Sequence, residues 1–106
     1  MTAADVIFSA LASPVRRRIL DVLGKEGPQA VNAIAALFLM ERPSISEHLK
    51  VLRDAGLVSC SRIGREHHYQ LNADPLREIS RWLAPFEDHM RGRPTGLGDT
   101  LETRGE

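Results

Sequence analysis

The sequence predicts a mainly α-helical domain carrying one small β-hairpin. Three features support this: an amphipathic segment from Arg42 to Val58 that ends on a glycine stop, two strand-like runs joined by Gly64-Arg65, and further helical segments headed by Pro14 and Pro75. A short first helix is expected over Asp5 to Leu11, with Val6, Ile7 and Leu11 as its apolar residues. Ser13-Pro14 then reads as an N-cap followed by proline at the first helical position, where a missing N–H costs nothing. Val15, Ile19, Val22 and Leu23 line one side of this second helix up to Gly24, and Gly27-Pro28 breaks the chain. Another short helix is expected from Val31 to Phe38, with Ile34, Ala35 and Leu37 facing inward. Leu39 to Arg42 form the turn into the next helix, and two short helices meeting across a tight turn make helix-turn-helix geometry.

That next helix has the clearest pattern. Ile45, Leu49 and Leu52 recur at i, i+4 and i+7, which makes one face apolar. Pro43 suits its first turn, and Gly56 suits a left-handed stop after Ala55. The opposite face carries Ser46, Glu47, Lys50 and Arg53, with Ser44 at the mouth. A helix with a dry back and small polar plus basic residues on its first turns can sit in a DNA major groove. Alone, the pattern fits an ordinary amphipathic surface helix equally well.

The chain beyond it favours the first reading. Leu57 to Ile63 and Glu66 to Leu71 are strand-like, and Gly64-Arg65 fits a two-residue hairpin turn with glycine first. Leu57, Tyr69 and Leu71 can face the core, while Arg62 and Arg65 ride near the tip. A helix followed by such a hairpin is the outline of a winged helix.

Three blocks then carry a family resemblance: Ala10 to Leu20, Arg42 to Val58 and Gly64 to Leu71. In this order and spacing, over roughly residues 5 to 90, the chain resembles the ArsR-type winged-helix repressors, most nearly the branch without metal sites. The resemblance implies a small homodimeric transcriptional repressor that leaves DNA when a signal arrives; nothing in the sequence names that signal. It departs from the family pattern at Ala30 and Glu41, where capping hydroxyls are usual, and at Glu47, where a basic or amide side chain is usual.

The last helix supplies a second motif. Asp74-Pro75 reads as cap plus first-turn proline, and Leu76, Ile79, Leu83, Phe86 and Met90 follow at spacings of 3, 4, 3 and 4. That is the seam a helix uses against a partner helix, with Trp82 beside it. The expected dimer interface therefore combines Leu76, Ile79, Trp82, Leu83, Phe86 and Met90 with Val6, Ile7 and Leu11 of the first helix. Pro85 should bend the helix, since it removes a donor and crowds the carbonyl of Arg81.

Composition bounds the remaining options. The chain has 106 residues with 42% apolar, enough for one core, and a formal net charge of zero. Between Glu41 and Gln70, five basic residues (Arg42, Lys50, Arg53, Arg62, Arg65) face four acids (Glu41, Glu47, Asp54, Glu66), so the local excess is one. No apolar run is long enough to span a membrane and no secretory signal opens the chain, so no membrane partner is expected. A lone cysteine, Cys60, fits a reducing cytoplasm. Residues 1–91 read as one DNA-binding and dimerisation domain, and 92–106 as a flexible tail rich in Gly, Pro, Thr and Arg.

No metal site or other cofactor is expected. His48, Cys60, His67, His68, Asp88 and His89 are candidate ligands, but they show no converging spacing, and His67 and His68 point to opposite faces of a strand. No catalytic residues are expected either, because no nucleophile elbow or phosphate-cradling glycine loop occurs. The sequence therefore predicts a winged helix-turn-helix that is dimerised through its terminal helices and binds a near-palindromic double-stranded DNA operator. Ser44, Ser46, Glu47 and Lys50 are the expected base-edge residues. Arg42, His48 and Arg53 are expected to meet phosphates, and Arg65, with Arg62 beside it, is expected to reach the flanking minor groove or backbone from the wing. A winged helix that serves only as a protein-interaction module is the rival reading.

Overall fold

The computed structural model describes residues 2–92, so the expected tail lies, beyond Gly92, outside the described residues. The elements are α1 (Ala3–Ala10), α2 (Pro14–Glu26), β1 (Gln29–Ala30), α3 (Val31–Phe38), α4 (Arg42–Asp54), β2 (Val58–Ile63), β3 (Glu66–Leu71), a 3-10 turn (Asp74–Leu76) and α5 (Arg77–Met90). The core is built by α1 to α4 and the base of the hairpin: Ile7, Ala10, Ile19, Leu20, Leu23, Val31, Ile34, Ile45, Leu49, Leu52, Leu57 and Val58 are all buried.

Local chemistry sets the helix ends. α1 starts two residues earlier than expected because Thr2 and Asp5 form a reciprocal cap. The Thr2 hydroxyl accepts from the Asp5 N–H and the Asp5 carboxylate accepts from the Thr2 N–H, both at 3.1 Å. Ser13 caps α2 as expected, its hydroxyl accepting from the Arg16 N–H at 3.3 Å. The expected stop at Gly24 is wrong: α2 runs to Glu26 and ends on Gly27, whose φ is 83°. Gly24 instead lies within the helix beside the wing, where a Cβ would make an ordinary contact with the Leu71 side chain at 3.4 Å.

α3 has the expected bounds, but Leu37 points outward rather than into the core. Val31 and Ile34 carry the inner face instead, with Ala35 and Phe38 packed beside them. The turn into α4 closes through Leu39, a non-glycine residue at φ 52° and ψ 40°, a conformation costing roughly 1–2 kcal/mol. Gly56 provides the left-handed stop after α4 at φ 78°.

The wing keeps the expected register. β2 and β3 pair antiparallel from Val58↔Leu71 to Ile63↔Glu66, and Gly64 takes the positive φ, 63°, that starts a tight hairpin turn. β1 pairs Gln29 with Tyr69 and Ala30 with His68, giving the order β1-β3-β2. Two residues are too few to show an alternating pattern, so this third strand left no trace in the sequence. Asn72 ties the wing base to the end of α4: its backbone N–H donates to the Leu57 carbonyl at 2.8 Å and its side-chain amide to that of Gly56 at 2.9 Å.

The expected cap by Asp74 does not form. Asp74 opens the 3-10 turn, its own N–H donating weakly to the Asn72 side chain at 3.4 Å, and Leu76 at the head of α5 offers no capping atom. α5 continues through Pro85 to Met90.

Leu49 is fully buried between α4 and the other core helices. Leu49→Ala should therefore lower the unfolding free energy by about 2–5 kcal/mol. Urea denaturation followed by circular dichroism measures this; a loss under about 1 kcal/mol would mean that α4 is not anchored as described.

Candidate nucleic-acid interface

The two sides of α4 have opposite chemistry. Ile45, Leu49 and Leu52 are 0% exposed, whereas Arg42, Ser44, Ser46, Glu47, Lys50 and Arg53 lie in solvent. The inner face thus fixes the roll of the helix and turns the polar face out. His48 sits between them, half-buried. Glu41 is the N-cap residue but its carboxylate makes no capping bond; its main-chain carbonyl accepts from the N–H groups of Ser44 and Ile45 at 3.1 Å each. Lys50 leans toward Asp54, with Nζ to carboxylate at 3.0 Å, and both side chains are largely exposed. Such a surface pair is worth only about 0.3–0.5 kcal/mol, so another anion can displace Asp54 readily.

The wing places two arginines at its exposed tip. Arg62 Nε donates to the Gly64 carbonyl at 3.3 Å, bracing the turn, and Arg65 extends into solvent. Lower on the hairpin, Cys60 Sγ is 3.5 Å from His67 Nδ1 on one face. On the other, His68 Nε2 is 3.4 Å from the Glu66 carboxylate. Burial pushes the Tyr69 phenol above its ordinary range and the neighbouring Cys60 adds to the push, while Arg53 and Arg42 pull it back. Tyr69, packed against the core, therefore stays uncharged. Among the described residues, no three His, Cys, Asp or Glu side chains gather as a metal-binding group.

The sequence reading missed the role of the Arg16-Arg17-Arg18 run. Arg16 Nε donates to the Ala10 carbonyl at 2.7 Å and Nη2 to that of Ser9 at 3.2 Å, while Nη1 lies 3.3 Å from His48 Nδ1. Arg17 donates to the Leu11 carbonyl at 2.7 Å, and the Arg18 guanidinium lies 4.9 Å from the centre of the Phe38 ring. Three consecutive guanidinium groups, just after a helix that must leave carbonyls unpaired at its end, were the available signal.

A second surface lies on α1 and α5. α5 has no fully buried residue. Leu76 and Ile79, like Leu11, pack against the core of their own chain, and Leu83 and Val6 are half-buried. Ile7, expected at the interface, is instead 3% exposed and belongs to the core. Phe8, one residue on, takes the outer position and meets Trp82 edge-on with ring centres 5.5 Å apart; Trp82 in turn lies 5.1 Å from Phe86. Phe8, Trp82, Phe86 and Met90 are all exposed.

Comparison with known proteins gives this arrangement a context. Residues 11–60 match a helix-turn-helix domain family. The transcriptional repressor SdpR of Bacillus subtilis is 39% identical over 80 residues, covering 76% of this chain and 88% of that protein. The crystal structure of an ArsR family transcriptional regulator, 32% identical, matches with a TM-score of 0.74 over 87% of this chain and 94% of that one. The chain belongs to the ArsR family of transcriptional regulators. The same winged fold occurs in a homodimeric DNA-binding domain from Mycobacterium bovis, 28% identical with a TM-score of 0.66, covering 90% of this chain and 88% of that one.

In this ArsR-family chain the uncapped start of α4 leaves a measurable deficit. Glu41→Ser should raise the unfolding free energy by only about 0.5 kcal/mol, because a hydroxyl there would share the Ser44 N–H that already donates to the main-chain carbonyl of residue 41. Thermal unfolding of the two proteins side by side tests this, and an unchanged or lower midpoint argues against it.

Proposed function

We propose that this protein is a homodimeric repressor that reads a near-palindromic operator in double-stranded DNA. α4 of each subunit enters one of two successive major grooves, and the wing of each reaches the flanking backbone or minor groove. The observation that carries the reading is the outer face of α4: exposed Ser44, Ser46, Glu47 and Lys50, on a helix whose roll is locked by a fully buried inner face. Those four side chains meet base edges. Arg42, His48 and Arg53 meet phosphates, and Arg65 with Arg62 reaches the flanking backbone or minor groove from the wing. Glu47 accepts from a cytosine amino group or lowers affinity. The SdpR likeness supports repression, and the homodimeric M. bovis domain supports two-fold assembly. The protein acts by binding and needs no cofactor.

The dimer is formed through α1 and α5. The support is the aromatic cluster Phe8, Trp82 and Phe86, exposed on a single chain and continued by Leu83 and Met90. Leu83→Glu sets two like charges against each other across a symmetric interface. The variant should sediment as a monomer and lose operator affinity at the same time, because two half-sites are read together. A variant that remains dimeric with normal binding places the interface elsewhere.

Binding isotherms on genomic fragments and operator variants, at two salt concentrations, test the DNA reading. Arg65→Ala should weaken binding to all sequences alike and flatten the salt dependence. Lys50→Ala should cost roughly 1–3 kcal/mol on the operator and change the preferred base at one position per half-site. Glu47→Gln should raise non-specific affinity. The low local charge excess permits the rival reading, a protein-interaction module. That reading takes over if no fragment is preferred and neither Arg65→Ala nor Lys50→Ala moves the isotherm.

A further inference from the structure

We infer that Arg16 is a positioning residue for DNA binding: it holds the end of α1 and, with the same guanidinium, sets the His48 imidazole to donate from Nε2 to a DNA phosphate. The geometry is a three-way junction. Nε donates to the Ala10 carbonyl at the end of α1, Nη2 shares the Ser9 carbonyl with the Ala12 N–H, and Nη1 meets His48 Nδ1 at 3.3 Å. A guanidinium has five N–H donors and no acceptor. The 3.3 Å contact is therefore a hydrogen bond only if Nδ1 is the acceptor, and the ring proton then sits on Nε2.

The resulting Nε2–H has no protein partner among the described residues. His48 is half-buried and follows Ser44 by one helical turn, on the side of α4 that begins at its exposed mouth. A donor held there by a side chain from another helix suits an anionic oxygen passing the mouth of α4. The junction also links two functions through one residue. α1 carries Phe8 of the proposed dimer face, α4 carries the base-reading residues, and Arg16 touches both helices. This inference rests on the DNA reading above.

It makes a distinctive claim about salt. A neutral imidazole donates a hydrogen bond but releases no counterion, so its loss lowers affinity without changing the salt slope. His48→Asn keeps an acceptor where Nδ1 was but loses the outer donor; operator affinity should fall about tenfold at every salt concentration, with the slope unchanged. His48→Gln returns an amide N–H to the outer position and should recover most of that loss. Arg16→Lys keeps the charge but cannot serve two carbonyls and an imidazole together. In the free full-length protein, proton–nitrogen NMR of the imidazole should show one tautomer, protonated at Nε2, in the wild type and a mixture in Arg16→Lys. Arg16→Lys should also cost about tenfold in affinity in the wild type, and clearly less in the His48→Asn background, where only its hold on α1 remains to be lost.

Three results overturn the inference while leaving DNA binding intact. They are an Nδ1-protonated ring in the free wild type, additive losses in the double variant, or a slope reduced by about 0.9 per lost contact, which would mark a charged phosphate contact instead. If Arg16→Lys does not fold, the His48→Asn and His48→Gln pair decides alone: equal losses overturn it. Absence of fragment selectivity by the wild-type protein overturns the DNA reading and this inference together.

Discussion

The burial of Ile45, Leu49 and Leu52 governs most of what the surface can do. These three residues pin α4 to the core along its length, and no water reaches any of them. A helix pinned along one stripe cannot roll, so its remaining side chains inherit a fixed direction. Ser44, Ser46, Glu47 and Lys50 gain orientation without making strong contacts of their own. The wing inherits its place in the same way. Leu57 and Val58 are buried, and Asn72 fastens the strand ends to the close of α4. Arg65 at the tip is thus positioned by packing at the far end of the hairpin.

Much of this was legible in the residues, for reasons that can be named. The α4 stripe repeats at helical spacing, the Gly56 stop needs a positive φ, and Gly64 begins a two-residue turn; each signal is local. What escaped depended on distant partners. β1 exists because Gln29 and Ala30 find β3, some forty residues away. The helix that Gly24 was expected to end runs on past it, alongside Leu71 of the wing. Ile7 and Phe8 could not be ranked from a short helix with apolar residues on several sides; the fold buries one and leaves the other exposed. Within the candidate site, the outer face of α4 was readable, whereas the junction at Arg16 was not, since it joins residues 32 positions apart.

The charge distribution suits a reader of sequence better than a general binder of nucleic acid. A chain with zero net charge gains little from DNA at long range. Glu41 and Glu47 stand exposed on the face proposed to meet DNA, and Lys50 leans toward Asp54. Under the proposed reading these acids suppress indiscriminate contact, leaving affinity to the fit of α4 in its groove and to the pairing of two subunits.

The chain's single tryptophan lies outside the hydrophobic core. Folding of one subunit leaves Trp82 more than half exposed, at 54%, against Phe8 and Phe86. Its indole therefore does not enter the dry interior when α1 to α4 collapse. If α5 pairs as proposed, it loses water when two chains meet. Intrinsic fluorescence would then register mainly subunit encounter, while far-ultraviolet dichroism follows the helices. The two optical signals would separate on dilution, and the gap between them would read the strength of association directly, without any added label.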